Sequence, residues 1–544
     1  MLTMLLQSAL EKIFLDVREF QPPYLRGSGL GGERFAFQAV LDWDGWGNLP
    51  VTVTVDSPLQ DHIRLYRVGQ VPCQLPAYPA ACDEDYLTTR PGLFPDPLFP
   101  LEDGAVEVSG FSHTTLWLEV TIPKGWPGGE VPITLTAQAG EEWAQAVFTL
   151  TVVGADLPEQ RLTYTQWFYA DCIASYYGVP VYSQRHWELL EAYLKMAAEG
   201  GVNMILTPVL TPALDTAAGS ERPCTQLAEI EKRGDRYRFD FARLDRFVDL
   251  ALACGIKKFE VSHLFTQWGA EFAPAIYVTE DGERRRAFGW DTPADSPEYR
   301  GFLSQFLPAL TAYWKGRGLQ DRVVFHISDE PGEAHLDSYR RAKEGAAPYL
   351  EGFPIYDALS DYRFYEKGLV DHPIPSNDHI GPFLEHRVPG LWTYTCCAQN
   401  RKVGNRFFAM PSYRNRVLGQ QFYKFRIQGF LHWGYNFWYT QYSRGLIDPC
   451  QVTDAGRAFP GGDAFSVYPG PEGPIPSLRL KVFHQALQDQ RALELLESLA
   501  GPGAAAGCIQ DFEGMTFSRY PRSAQALLDT RERVNRAIAM ALQK

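Results

Sequence analysis

The sequence predicts an α/β protein in three parts: an N-terminal antiparallel β-sandwich, a (β/α)8 TIM-type barrel, and C-terminal helices that brace the barrel. Three observations carry that expectation. Period-two alternation dominates the first part of the chain, helix–glycine–strand units recur after it, and two long amphipathic segments close it. The expected boundaries are 1–156 for the sandwich, 157–475 for the barrel and 476–544 for the bracing helices, a division that a chain of 544 residues accommodates.

The sandwich rests on GERFAFQAVLDW (32–43), LPVTVTVDS (49–57), HTTLWLEVTIP (113–123), VPITLTAQAG (131–140) and WAQAVFTLTVVG (143–154), short alternating runs punctuated by Gly and Pro. RPGLFPDPLFPL (90–101) holds four prolines in twelve residues and is expected to be a rigid extended crossing with few ladder hydrogen bonds. After Leu157-Pro158 the pattern changes. HWELLEAYLKMAAEGG (186–201) sets Leu190, Tyr193, Leu194 and Ala197 on one helical face, stops at two glycines and leads into VNMILTPVL. The unit returns at 241–255 before IKKFEVSHLF and at 296–318 before DRVVFHISDE, and a fourth copy begins at Glu333. LWTYTCC (391–397) and GFLHWGYNFW (429–438) extend the strand count toward eight. The segments 477–500 and 523–544 read as helices.

Composition narrows the function. Hydrophobic residues at 45% and charged residues at 21% exclude a disordered or collagen-like chain. The 65 acidic against 51 basic residues give a net charge of -14, which repels phosphate backbones, so no nucleic-acid partner is expected. Aromatic residues reach 13%, with 13 Trp and 27 Tyr, flat surface that suits sugar rings as well as cores. No run of about 18 apolar residues occurs, so no membrane span is expected. The start MLTMLLQSALEKIFLDV has no basic region of an export signal, and nine scattered Cys show no zinc-type spacing, so a cytoplasmic location without metal or cofactor is expected. The adjacent Cys396 and Cys397 read as strand residues rather than a redox pair. The string GSGLGG (27–32) precedes a strand instead of joining a strand to a helix, so it reads as a turn and not as a dinucleotide loop.

In a (β/α)8 barrel functional side chains sit at the C-terminal ends of the strands. Those positions deliver Trp167; His263, Gln267 and Trp268; Asp329 and Glu330; Asp357; Tyr394; and Trp433, Tyr435, Asn436 and Trp438. The sharpest signal is FHISDEPG (325–332), a β-branched and apolar strand that ends in two consecutive carboxylates before Pro331-Gly332. Within a strand neighbouring side chains face opposite ways, but at its terminus the turn lets both reach the barrel mouth. Paired carboxylates suit glycosidic-bond cleavage, in which one is a protonated acid and the other an anion. The usual retaining pair comes from different strands, with carboxyl groups about 5–5.5 Å apart. Adjacent residues fit better a scheme in which the sugar's own 2-acetamido oxygen attacks the anomeric carbon. Glu330 then serves as acid and base, and Asp329 orients the acetamido group. The plain alternative is that Asp-Glu before Pro-Gly is a solvated turn or a helix cap, that the aromatic run 433–439 packs the core, and that His263 and His326 are satisfied barrel histidines.

HISDEP (326–331), GFLHWGYNFW (429–438), GGDAFSVYPG (461–470) and SLRLKVFHQALQD (477–489) together resemble the catalytic domain of glycoside hydrolase family 123, the β-N-acetylgalactosaminidases. The resemblance implies retaining, metal-free, cofactor-free release of terminal β-linked N-acetylgalactosamine from an oligosaccharide or glycoconjugate through an oxazolinium-like intermediate. Asp329 is then the orienter and Glu330 the acid/base. The substrate contacts expected around them are Trp167, His263, Trp268, Asp357, Tyr394, Trp433, Tyr435, Asn436 and Trp438. Two other readings stay open: an ordinary two-carboxylate glycosidase pairing Glu330 with a distant acid such as Asp357, and a carbohydrate-binding protein without catalysis. The oligomeric state is not legible.

Overall fold

The computed structural model describes residues 1–17, 19–212, 214 and 221–543. Two five-stranded sheets occupy residues 2–156. One runs in the order Leu2–Ser8, Arg34–Trp43, Thr114–Thr121, Ile63–Cys73, Gly92–Pro100, the other Arg26–Gly31, Glu142–Asp156, Gly129–Ala139, Asn48–Asp56, Ala105–Ser109. Their inner faces share one apolar cluster, with Phe37 stacked on Phe148 at 4.2 Å. The proline-rich segment is the edge strand Gly92–Pro100, where missing N–H donors cost least.

Two details differ from the sequence expectation. The glycine string is a strand, Arg26–Gly31, and it pairs parallel with Glu142–Asp156 in an otherwise antiparallel sheet. A Cβ at Gly31 would meet Asp156 Oδ1 at 1.9 Å, and one at Gly29 would meet Ile122 Cδ1 at 2.6 Å. These glycines serve close packing; only Gly32, at φ +76°, makes the turn.

After residue 157 the fold is mixed α/β. Six parallel strands form one ladder in the order Val323–Val324, Lys258–Val261, Met204–Thr207, Thr163–Gln166, Gly429–His432, Trp392–Thr395. A separate parallel pair, Tyr356–Ala358 and His372–Ile374, meets the ends of that ladder through the isolated parallel bridges Phe325–Ile355 and Ser376–Tyr394. The intervening helices include Gln184–Glu199, Ala242–Ala253, Pro297–Gly316 and Leu336–Ala346. Ser183 and Ser296 cap the first and third, accepting from His186 N and Tyr299 N. A four-stranded sheet, Arg236–Asp240, Glu229–Arg233, Ile276–Glu280, Glu283–Phe288, is inserted in the connections and was not legible as a unit in the sequence.

The last strand is shorter than GFLHWGYNFW suggests. It ends at His432, because Gly434 passes so close to the 463–464 backbone that a Cβ would lie 2.5 Å from Ala464 O. Strand alternation therefore does not apply to residues 433–438. The C-terminal helices Leu478–Ala500 and Ala524–Leu542 also do more than brace the parallel strands from outside. They share a core with the N-terminal sheets, and Arg479 pairs with Asp96 and Lys481 with Glu119 in buried ion pairs at 2.8 and 2.9 Å.

Candidate active site

A cleft opens beyond the carboxyl ends of the parallel strands. Its lining includes Asp329, Glu330, Trp167, Trp268, Tyr394 and Trp433. Six of the eleven site residues expected from sequence therefore meet in one cavity. Two consecutive carboxylates reach it because Glu330 adopts φ +45°, a left-handed conformation that turns the chain between them. The Glu330 N–H donates to Ala358 O at 2.9 Å, and Asp329 O accepts from Trp268 N at 2.8 Å, so both neighbouring strand ends hold the turn.

Electrostatics favour a protonated Glu330. Burial pushes its carboxyl above the usual range; the Tyr394 hydroxyl, which donates to Glu330 Oε1, opposes this, and the charge of Asp378 adds to it. Asp378 is itself fixed by Ser376 Oγ, His379 Nδ1 and Gln399 Nε2 at 2.7, 2.8 and 3.0 Å. Trp433 is oriented by Asp463, whose Oδ2 accepts from the indole Nε1–H at 3.0 Å. Burial lifts the Asp463 carboxyl to about 7, against the opposing charge of Arg406.

Beneath the cleft lies a closed polar layer. The indole N–H of Trp167 donates to Glu260 Oε2 at 3.1 Å, and Glu260 also accepts from Thr165 Oγ1. His326 Nε2 donates to the same carboxylate at 2.9 Å, while its Nδ1 faces Tyr356 O, with Asp357 Oδ1 at 3.7 Å. Both ring nitrogens meet acceptors, so His326 is an imidazolium. Burial pulls its pKa down, but Asp357 and Glu260 overcome this and raise it to about 10.

The remaining five expected residues lie outside the cleft lining, each fully buried. Asp357 accepts from Ile327 N at 2.9 Å and from the Tyr339 hydroxyl. His263 stacks on His326 at 4.6 Å with 15° between the rings. Tyr435 donates to Tyr193 O at 2.8 Å, Asn436 brackets the Tyr169 backbone at 2.9 and 3.0 Å, and Trp438 Nε1 points at Val467 O at 3.3 Å. Because the strand stops at His432, these three side chains follow an irregular chain into the surrounding core. His263, His326 and Asp357 bring potential ligand atoms within 4.8 Å of one another. His326 and Asp357 are already engaged in hydrogen bonds with protein groups, so the donor set does not resemble a coordination sphere.

The cleft also takes Gln267, which the sequence reading delivered beside Trp268, and Tyr169, Cys396, Cys397 and Phe459, which it had not assigned to it. The two cysteines, expected to be strand residues, lie just beyond the strand Trp392–Thr395, which ends one residue after Tyr394.

The family model described as glycoside hydrolase 123, catalytic domain, matches residues 167–496, which span the whole of this cleft. The chain belongs to glycoside hydrolase family 123. It is a glycosidase by family, and its substrate is a glycan. A solved family 123 glycoside hydrolase from Clostridium perfringens, described in terms of glycolipid glycan hydrolysis, matches at a TM-score of 0.75 and 14% identity, covering 100% of this chain and 98% of that one. At that identity the likeness bears on the fold alone. A Parabacteroides merdae β-glucuronidase (TM-score 0.32, 10% identity, 84% of this chain and 50% of that one) and a Thermobacillus composti GH10 xylanase (TM-score 0.31, 13% identity, 60% and 97%) are too distant in structure to bear on it. No curated protein matches the chain. Among the described residues no helix is long and apolar enough to cross a membrane.

Proposed function

We propose that this family 123 enzyme releases terminal β-linked N-acetylgalactosamine with retention, using the sugar's acetamido group as the nucleophile. The observation that carries the reading is the turn at Glu330, which aims two sequence neighbours into one cleft while burial pushes the carboxyl of the second above the usual range. In the first step the acetamido oxygen bonds to the anomeric carbon as the glycosidic bond breaks, and Glu330 gives its proton to the leaving oxygen. Asp329 accepts from the acetamido N–H and balances the positive charge of the oxazolinium. In the second step Glu330 takes a proton from water as that water attacks the anomeric carbon and the acetamide is restored.

The engagement of Asp357 below the floor supports this scheme over a pairing of Glu330 with that distant acid. The same reading treats residues 157–475 as a closed (β/α)8 barrel, supported by the bridges Phe325–Ile355 and Ser376–Tyr394, with residues 1–156 and 476–544 as its sandwich and bracing helices. Nine free cysteines support a reducing, cytoplasmic setting.

A panel of nitrophenyl glycosides tests the proposal. The β-N-acetylgalactosaminide is expected to be cleaved, the plain β-galactoside not, and a thiazoline mimic of the intermediate to inhibit. Glu330→Gln should lower kcat by about 10²–10⁴-fold, the usual worth of general acid help. Turnover of sugars without the acetamido group, or full activity in Glu330→Gln, refutes it.

A further inference from the structure

Two sulfur groups in the cleft take no part in the scheme above. Cys396 and Cys397 both line it, together with Glu330. Neighbouring side chains of a strand face opposite ways, but the strand Trp392–Thr395 has already ended, and the turn that follows brings both residues to one cavity. Both are half-buried and both are free thiols. The other seven cysteines are scattered singly along the chain.

The backbone that carries the pair is held by side-chain amides. Cys396 N donates to Gln399 Oε1 at 2.9 Å, Asn405 Nδ2 donates to Cys396 O at 2.9 Å, and Asn400 Nδ2 donates to Cys397 O at 3.2 Å. Gln399 and Asn405 are fully buried, so the spacing of the two residues is set before any ligand arrives. The peptide between them is trans. Consecutive Cα atoms across such a bond stand about 3.8 Å apart, below the roughly 4.4–6.8 Å that a disulfide spans, so a direct S–S bond is disfavoured. An atom inserted between the sulfurs removes that constraint. Hydrogen bonding to the Cys397 thiol, and then burial, push Cys396 well above the ordinary thiol range, which keeps it a neutral S–H at pH 7 and a weak nucleophile on its own.

We propose that Cys396 and Cys397 form a chelating site for soft, trivalent arsenic, and that its occupation closes the cleft beside Glu330. The donor chemistry selects the class. Two sulfurs on a fixed backbone match a soft centre that takes two thiolates. The second bond forms within the chain, which adds about 10²–10⁴-fold over a single thiol. The step leaves every oxidation state unchanged. With a monosubstituted arsine oxide, two S–H bonds and the As–O bond break, two As–S bonds form, and both thiol protons leave with the oxygen as water. The site does not rest on the glycosidase reading; only its effect on turnover does.

The probe is phenylarsine oxide, added to the full-length chain and read by intact mass and by turnover of a glycoside. One phenylarsenic per chain is expected, retained in excess monothiol and removed by a dithiol such as dimercaptopropanol. Activity should fall on addition and return on removal. Cys396→Ser and Cys397→Ser should each release the adduct to monothiol and need about 10²-fold more probe for half-inhibition, measured against each variant's own uninhibited rate. Cys450→Ser, outside the cleft lining, should respond as wild type does. A monothiol-resistant adduct that survives in both cleft variants overturns the site. So does a wild-type chain two hydrogens lighter that takes up no arsenic, which reveals a disulfide in place of the dithiol. A bound adduct with undiminished turnover overturns the closure of the cleft. If wild type cleaves no glycoside at all, the hydrolase reading fails, and the mass measurement still decides the chelate.

Discussion

Tyr394→Phe isolates the group that opposes protonation of Glu330. The ring is 6% exposed and its hydroxyl donates to Glu330 Oε1, so the substitution removes one hydrogen bond while keeping the ring that packs the cleft wall. That bond stabilises the anion. A hydrogen bond to a charged group contributes about 1.5–3 kcal/mol, which is roughly tenfold to hundredfold in the ionisation equilibrium of the carboxyl. Without it the carboxyl, already lifted by burial and by Asp378, keeps its proton to still higher pH. A general acid loses activity as pH rises through its pKa. The alkaline limb of kcat/KM against pH should therefore move up by the logarithm of that factor. The assay is a pH series on wild type and variant with one glycoside, since this profile reports the free enzyme. A limb that stays put, or moves down, would falsify the assignment of Glu330 as the ionising acid held by Tyr394.

Two further predictions concern the supports of the cleft. His326 is raised from its ordinary 6.5 to about 10, so its contribution to stability is complete below about 6.5 and is lost as pH climbs through 10. At ~1.4 kcal/mol per unit this amounts to a few kcal/mol. Denaturant titrations at pH 6 and pH 10 should show the gap between wild type and His326→Gln shrinking at the higher pH, and a constant gap would contradict the imidazolium. Asp463→Ala takes away the acceptor of the Trp433 indole, leaving a half-buried N–H unpaired at about 1–3 kcal/mol. KM should rise more than kcat falls, with a change in near-UV dichroism, and Asp463→Asn should restore part of both; equal behaviour of the two variants would remove the positioning role.

Much of this site was legible because strand ends carry the chemistry of parallel α/β folds, and the Asp-Glu-Pro-Gly that follows the short strand Val323–Val324 and the bridge at Phe325 marks such an end. Trp167, Trp268, Asp329, Glu330 and Tyr394 each follow or close such a strand. Reading failed where the chain leaves the regular lattice. WGYNFW looks like a strand by composition, but the approach of Gly434 to the 463–464 backbone ends it, and no periodicity encodes that contact. Asp357 and His263 sit at strand ends as expected, but pairing with Tyr339 and stacking on His326 keep them beneath the floor. The glycine string misled for the opposite reason, since close packing and tight turning select the same residue.

The distribution of buried charge explains why the three parts of the chain act as one unit. Asp96, on the edge strand of the N-terminal sheets, pairs with Arg479 on the helix Leu478–Ala500. Arg479 donates to Gly462 O and Phe465 O, which bracket Asp463, and Asp463 holds Trp433 at the cleft wall. Lys12 reinforces the same region from the N-terminal segment, donating to Phe407, Phe408 and Met410 carbonyls at 3.0, 2.8 and 2.7 Å. Removing either flanking part would leave a buried charge unpaired, which is far more costly than the pair itself is favourable. The orientation of an aromatic ring at the cleft thus depends on groups from residues 12 to 479, and the cleft wall is a property of the whole chain rather than of the parallel strands alone.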